Sequence, residues 1–440
     1  MPLTGREAAL KSLSGFRRSE IKPDRYLDSL VMRGLLPDKE TALAYRLCMG
    51  VLQNANLCDY YIKHYLSSSI RKLHPAVLDI LRLTTYQIVF LSRIPIPAAV
   101  NEGVKLARKY GAASLVNAVS RKIAENRENL PEVTGDTPAD YLSVKYSHPK
   151  KLVEYVILRL GEAEAEQFLC KNNETPPITV RRNALLSSEE ELKNELTTSG
   201  IVFRPHPWMD DFYDLQNPGN IQGLPFFLNG HCTVQDPASA LVVYAAGVKE
   251  NYTVLDACAS PGGKTFLLAQ IMRNTGHILA CDRSEKKIGY INDGLKRLGI
   301  QNTECAVMDA KEQNNALVGT FDAVLCDVPC SGMGVIAKKP EIRYKSPESI
   351  QELPEIQLAI LRNTADYVKA GGVLVYSTCT IMEAENENVI RSFLGERSDY
   401  TLETFRLPEP ISNVPNGFMT LWPHYHKTDG FFICKLRKTI

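Results

Sequence analysis

Two short segments of this 440-residue chain hold a cysteine where a thiol can do chemistry rather than fill space. One is Asp327-Val328-Pro329-Cys330-Ser331-Gly332-Met333-Gly334; the other is Tyr376-Ser377-Thr378-Cys379-Thr380. Each follows an apolar run of strand character, which puts both thiols just past a strand end among loop residues. Thiols so placed are candidates for reactive groups. Cys258, Cys281, Cys305 and Cys326 read better as buried packing thiols.

A third segment, Val254 to Thr265, reads strand, small-residue loop, helix: Asp256-Ala257-Cys258-Ala259-Ser260-Pro261-Gly262-Gly263-Lys264-Thr265 is its centre. A Gly-rich turn there lets backbone N–H groups approach a ligand at a helix N-terminus. A phosphate loop is excluded, because Cys258 stands where that motif needs glycine, and no G-x-G-x-x-G is present. Asp282 ends the next strand, 26 residues after Asp256, where an acid can accept both ribose hydroxyls. Asp309 ends the third, where a carboxylate can take an exocyclic adenine amine. An Asp at a strand end is also often a helix cap. Three in succession after a Gly-rich loop favour a nucleoside ligand.

Elements must bring these residues together. From about Gln235 to Lys438 strands and helices alternate, implying βαβ units and a mostly parallel sheet that binds ligands at its carboxyl edge. The strands expected are Thr253–Asp256, His277–Asp282, Thr303–Met308, Phe321–Asp327, Gly372–Ser377 and Phe431–Leu436, with helices such as Lys264–Arg273 and Ser284–Leu298 between them. From Gly5 to about Asn129 apolar residues recur every three or four positions, which predicts an all-α bundle broken at Ile94-Pro95-Ile96-Pro97. Between lies a small α+β connector: a helix over Lys151–Leu169, then strand Ile178–Arg182, helix Glu189–Ser199 and strand Ile201–Pro205. The expected domains are 1–130, 137–230 and 231–440. Glu385-Asn386-Glu387 reads as a helix start, and Asp429-Gly430-Phe431-Phe432 as a turn into an antiparallel strand.

Composition excludes whole classes. Hydrophobic residues at 44% and charged residues at 23% fit neither a disordered nor a membrane-embedded chain. The longest apolar runs, such as Leu241–Val248, are too short to span a bilayer. Met1–Leu10 is polar and no secretory signal is expected. The eleven cysteines are scattered with no C-x-x-C pair, so neither a disulfide framework nor a zinc cluster fits, and a cytosolic protein with reduced thiols is expected. Net charge is +1, yet residues 1–130 hold 20 Lys+Arg against 11 Asp+Glu, a surplus of +9 over a remainder of −8. A basic helical third joined to an acidic remainder suggests one unit that holds a polyanion, although a solvated helical surface gives the same signal.

The motif set D-A-C-A-S-P-G-G-K-T, D-V-P-C-S-G-M-G and Y-S-T-C-T resembles the RNA cytosine carbon-5 methyltransferases of the NOL1/NOP2/Sun class, over some 200 residues. The first third resembles a NusB-like RNA-binding domain in Ile80-Leu81-Arg82-Leu83, Ala98-Ala99-Val100-Asn101-Glu102 and Val116-Asn117-Ala118-Val119. Together they resemble the bacterial Sun (Fmu) branch of that class, which acts on 16S rRNA. The resemblance implies a Rossmann-like class I methyltransferase fold behind a NusB-like bundle, S-adenosylmethionine as cofactor, no metal, and methylation of cytosine 967 to 5-methylcytosine.

By the same resemblance Cys379 is the nucleophile that adds to carbon 6. Asp327 bonds or protonates the ring nitrogen, and Cys330 helps remove the carbon-5 proton or release the product. Cys258, Ala259, Ser260, Pro261, Gly262, Gly263 and Lys264 cradle the methionine part of the cofactor, Asp282 its ribose and Asp309 its adenine, with Asp327 beside them. Lys264 could instead face an acidic group or the RNA. Ser260 and Val328 stand where the family often has alanine. A monomer acting on naked or early-assembly 16S rRNA in the cytoplasm is expected, away from membranes.

RNA contact is expected from Arg71, Lys72, Arg82, Arg93, Lys105, Arg108, Lys109, Arg121 and Lys122, and nearer the thiols from Arg181, Arg182, Lys338, Lys339, Arg343 and Lys345. The same chemistry on tRNA and a non-catalytic RNA-binding assembly factor are the alternatives; a DNA cytosine methyltransferase would lack Cys379.

Overall fold

The computed structural model describes residues 2–19 and 21–439; Met1, Glu20 and Ile440 lie outside the described residues. The chain forms two compact units. One comprises the chain up to Glu174 together with Ile336–Tyr344, the other Thr175–Val335 and the chain from Lys345 onward.

The first unit is helical because its apolar residues fall on one face of each helix. Helices Gly5–Ser19, Pro23–Met32, Asp38–Tyr65, Pro75–Phe90, Ile96–Ala107 and Ala113–Glu125 bury Leu27, Leu47, Ile62, Ile80 and Leu83 in one core. Pro23, Pro75 and Pro97 sit in first turns, where a missing N–H costs nothing. The long helix kinks at Asn54, whose Nδ2 donates to Gly50 O at 2.9 Å. Gly50 itself admits no side chain, since a Cβ there would lie 2.0 Å from the Tyr86 ring.

Helices Pro138–Lys145, Lys150–Leu160 and Glu162–Lys171 also belong to this unit. Asn56 Nδ2 donates to Ser143 O at 3.2 Å and Leu57 N to Ser147 Oγ at 3.0 Å, which docks them on the long helix. The single helix expected over Lys151–Leu169 is therefore two, parted where Gly161 turns at φ 80°.

The second unit opens with a four-stranded antiparallel sheet: β1 (Ile178–Arg182), β2 (Val202–Pro205), β3 (Phe212–Gln216) and β4 (Cys232–Val234), in the order β2-β3-β1-β4. The sequence reading found β1, β2 and the helix Glu189–Thr198 between them but missed β3 and β4. A large sheet follows from β5 (Thr253–Asp256), β6 (His277–Asp282), β7 (Thr303–Val307), β8 (Phe321–Asp327), β9 (Val368–Thr378) and β10 (Tyr400–Leu402). The hairpin β11 (Phe405–Arg406) and β12 (Asn413–Val414) stands apart, and β13 (Phe418–Leu421) and β14 (Phe431–Lys438) complete the large sheet.

Its order is β10-β14-β9-β8-β5-β6-β7, with β13 beside β14. The five strands β9-β8-β5-β6-β7 are parallel; β14 runs antiparallel to β9, and β10 and β13 pair antiparallel with β14. Side chains alternate into two cores: Ala323, Leu325, Val373 and Val375 on one face, Val324, Cys326, Leu374 and Tyr376 on the other. Strand order reverses beside β5, and at such a switch point a crevice opens beyond the carboxyl ends. The ends there are Asp256 and Asp327, the latter in register with Ser377.

Candidate active site

At that edge a cavity of about 250 Å³ is lined by Ala257, Cys258, Ser260, Asp282, Asp309, Asp327, Cys330 and Cys379, among others. The parallel strands β8 and β9 deliver the two thiols from neighbouring ends, with Cys330 Sγ 3.2 Å from Cys379 Sγ. The Cys330 thiol is pushed well above its usual range, first by the hydrogen bond with Cys379 and then by burial. Cys258 is also pushed well up, by burial, which makes it an inert part of the wall.

The carboxylate of Asp327 is held from both sides. Lys264 Nζ stands 2.5 Å from Oδ2, and Ser377 Oγ donates to Oδ1 at 2.8 Å. Lys264 thus faces an acidic group, and its ammonium also lies 5.3 Å from the centre of the Phe431 ring. The other acids make local bonds and border the cavity. Asp282 Oδ1 accepts from Ser284 N at 3.0 Å and Oδ2 from Lys287 Nζ at 3.2 Å; Asp309 Oδ1 accepts from Lys311 N at 3.0 Å. These are local turn bonds, yet both side chains also line the cavity.

The loop after β5 is shaped by its own backbone. Ala259 N donates to Cys281 O at 2.8 Å and Gly262 N to Ala259 O at 2.7 Å, closing a tight turn. Gly262 sits at φ 108°, and a Cβ there would lie 2.4 Å from the Phe266 ring. Of the expected loop residues, Cys258 and Ser260 line the cavity; Ala259, Pro261, Gly262 and Gly263 build the turn behind it. Asp256 is fully buried beneath the loop, accepting from Thr265 Oγ1 at 2.7 Å.

Several residues that matter here escaped the sequence reading. Glu385, Asn386 and Gln357 bind the backbone beside both thiols, and Met308, Ile356 and Ile360 complete the wall with Val328 and Pro329 of the quoted segments. Glu385-Asn386 carried a signal, but one that reads as a helix start, and Asn386 does stand just before the helix Glu387–Glu396, with its side chain on Thr378 and Thr380 rather than capping it.

Four arginines expected on RNA are committed elsewhere. Arg82 forks onto Asp59 at 2.7 Å, and Arg182 binds Asp211 at 2.6 Å. Arg181, 2% exposed, donates to Gln235 and Gln270. Arg343, 4% exposed, spends its guanidinium on carbonyls of the helical unit. Ion pairing commits the first two, which are partly exposed, and burial the last two. Arg71, Lys72, Arg93, Lys105, Arg108, Lys109, Arg121, Lys122, Lys338 and Lys339 are exposed, and so is Lys345, whose Nζ donates to Ser331 O.

Sequence comparison agrees with this architecture. The profile of the 16S rRNA methyltransferase RsmB/F family matches residues 243–437, that of the NusB family residues 4–125, and that of the RsmF/B-like ferredoxin-like domain residues 148–222. A probable ribosomal RNA small subunit methyltransferase B of Bacillus subtilis is 38% identical, covering 98% of each chain. The chain belongs to the RsmB/F methyltransferase family. A ribosomal RNA small subunit methyltransferase B of Serratia proteamaculans is 31% identical over 92% of this chain and 92% of its own. The crystal structure of PH0851 covers 100% of this chain and 99% of its own, with 28% identity and a TM-score of 0.80. As an RsmB/F member, the chain carries its site at the crevice of a methyltransferase fold. Among the described residues no cluster of His, Cys, Asp and Glu could hold a metal, and no helix is long and apolar enough to cross a membrane.

Proposed function

We propose that this protein transfers a methyl group from S-adenosylmethionine to carbon 5 of a cytosine in 16S rRNA, cytosine 967 by family resemblance, through a transient bond between Cys379 and carbon 6. The observation that carries this reading is the pair of sulfurs 3.2 Å apart on the wall shared with three strand-end acids. The residues present fit a nucleoside cofactor: Asp282 and Asp309 offer carboxylates to a ribose and an adenine amine, and Cys258 and Ser260 border the sulfur end. Bound there, the cofactor supplies an electrophilic methyl carbon.

Carbon 5 of cytosine is a weak nucleophile while its ring stays conjugated. Addition of the Cys379 sulfur to carbon 6 forms an S–C bond and moves the ring π pair onto carbon 5, which would then attack the methyl carbon as the methyl–sulfur bond breaks and S-adenosylhomocysteine leaves. Asp327, oriented by Lys264 and Ser377, accepts from the exocyclic amine and passes the proton given up by the Cys379 thiol to the ring nitrogen as charge builds there. Loss of the carbon-5 proton to water restores the double bond and expels the Cys379 thiolate as the ring nitrogen returns its proton through Asp327, with Cys330 assisting this second stage from 3.2 Å away. The target base must leave its stack to reach the cavity. The reading further assigns RNA holding to the NusB-like module at 1–130 and to the connector at 137–230, and transfer to 231–440, in a cytoplasmic monomer acting before the subunit is assembled.

The test is methylation of 16S rRNA fragments, assembled small subunits and tRNA with methyl-labelled cofactor. Cys379→Ala is expected to abolish transfer, while Cys330→Ala leaves a protein–RNA adduct that survives denaturation. Full activity of Cys379→Ala sinks the nucleophile assignment, and labelling of tRNA alone sinks the substrate.

A further inference from the structure

Glu385 is 1% exposed, and its carboxylate faces the backs of both cysteine loops. Oε2 accepts from Ser331 N at 2.8 Å and from Gln357 Nε2 at 2.9 Å; Oε1 accepts from Thr380 Oγ1 at 3.3 Å. Ser331 follows Cys330 and Thr380 follows Cys379, and their hydroxyls meet at 2.8 Å. The preceding residues are gripped as well. Gln357 Nε2 donates to Pro329 O at 2.9 Å, and Asn386 Oδ1 accepts from Thr378 Oγ1 at 2.6 Å while its Nδ2 donates to Thr380 O at 3.0 Å. The three donors to Glu385 are two amides and a hydroxyl, none of them a cation. Burying a carboxylate against neutral donors is expensive, and such sites cluster where function needs them.

We propose that Glu385 is a positioning residue: by holding Ser331 and Thr380 together it seats the Cys330 loop on the Cys379 loop and fixes how the two sulfurs face the base. This rests on the roles proposed for the thiols. Strand pairing and the bond from Gly334 N to Cys379 O bring the two loops side by side, Glu385 ties the residues that follow the sulfurs, and a displacement near 1 Å at reacting atoms costs a large factor in rate. The carboxylate has a second effect through its charge. The groups that act on Cys330 are Cys379, in contact, and the charges of Glu385 and Asp327, with the Tyr376 phenol close by and the Lys345 ammonium on the Cys330 and Ser331 carbonyls. The first three all oppose ionisation of Cys330. Removing the charge of Glu385 eases it.

The experiment compares wild type, Glu385→Gln, Thr380→Val, Cys379→Ala and Cys330→Ala as full chains. It measures kcat and KM for a 16S rRNA fragment, S-adenosylhomocysteine binding, and the pH dependence of iodoacetamide labelling at Cys330. Glu385→Gln is expected to lose about 10- to 100-fold in kcat with KM and S-adenosylhomocysteine affinity within about twofold. The Cys330 labelling midpoint should move to lower pH. Thr380→Val, which keeps the charge, should lose kcat without moving that midpoint. Wild-type kcat in Glu385→Gln, or a loss shared equally by kcat, KM and cofactor affinity with the midpoint unmoved, overturns the proposal. Should Glu385→Gln not fold, wild-type kcat in Thr380→Val overturns it instead. Retained transfer in both cysteine variants refutes the thiol roles, whereas the labelling midpoints still report on the clamp.

Discussion

The carboxyl group of Asp256 has little to balance its charge. Burial raises its pKa from the ordinary 3.8 to about 6; Thr265 supports one oxygen and the other has no partner. Lys264 opposes the rise, and Asp327 and Asp282 add to it. Because the folded pKa exceeds the unfolded one, the native state holds this proton more tightly. The stability it contributes is whole below about 3.8 and is lost as pH climbs through about 6. Asp256→Asn removes the titration, so it should gain on wild type between those values, by on the order of 2 kcal/mol near neutrality. Urea melts at several pH values check this, and a pH-independent difference would show that the group does not titrate there. Lys264→Met, which leaves Asp327 with Ser377 alone, should slow methyl transfer about 100-fold with cofactor binding largely retained. Single-turnover transfer beside S-adenosylhomocysteine titration separates the two.

Among the elements, a tightly constrained contact lies between the Cys330 loop and the turn into β14. Gly430 N donates to Gly334 O at 2.8 Å, while Gly334 N donates to Cys379 O at 3.0 Å. A Cβ on Gly334 would lie 1.9 Å from Gly430 O, so the backbones can meet only without a side chain. Gly334→Ala is expected to destabilise the second unit by about 2 kcal/mol and to lower transfer, because it pushes the two cysteine loops apart. An unchanged melt with full activity would contradict that contact. The strand ends act together in the same way: Asp327 owes its orientation to register with Ser377, a property of β8 and β9 as a pair.

Over the whole molecule, one short stretch follows a path that chain order does not foretell. Ile336–Tyr344, flanked in sequence by methyltransferase strands, belongs to the helical unit. There Arg343 donates to Gln53 O at 2.7 Å, Ser147 O at 2.8 Å, Asn172 O at 3.3 Å and Asn173 Oδ1 at 2.5 Å. None of these acceptors is a carboxylate, and burial lowers the guanidinium pKa to about 10. Arg343→Leu strands those carbonyls and should cost the helical unit about 3 kcal/mol, with Arg343→Lys recovering only part. Calorimetry on the full chain checks it: the transition of the helical unit should drop while the other stays.

What the residues determine locally was readable before any fold was known. The alternation of apolar strands with helices gave all six expected strands of the large sheet, because a strand buried on both faces must be apolar throughout. The D-V-P-C and S-T-C-T segments marked both thiols, because loop chemistry after a strand end is local. The small sheet was harder: β3 and β4 pair with β1 across distant stretches, and Gly161 split a pattern whose apolar spacing runs through it. Three matters belonged to tertiary structure alone. Lys264 selects Asp327 across 63 positions, Glu385 binds Ser331 across 54, and Arg343 is buried among carbonyls rather than presented to RNA. Residue type sets what a group can do, but which partner it meets depends on packing between segments far apart in the chain, and one sequence carries no periodic signal for that.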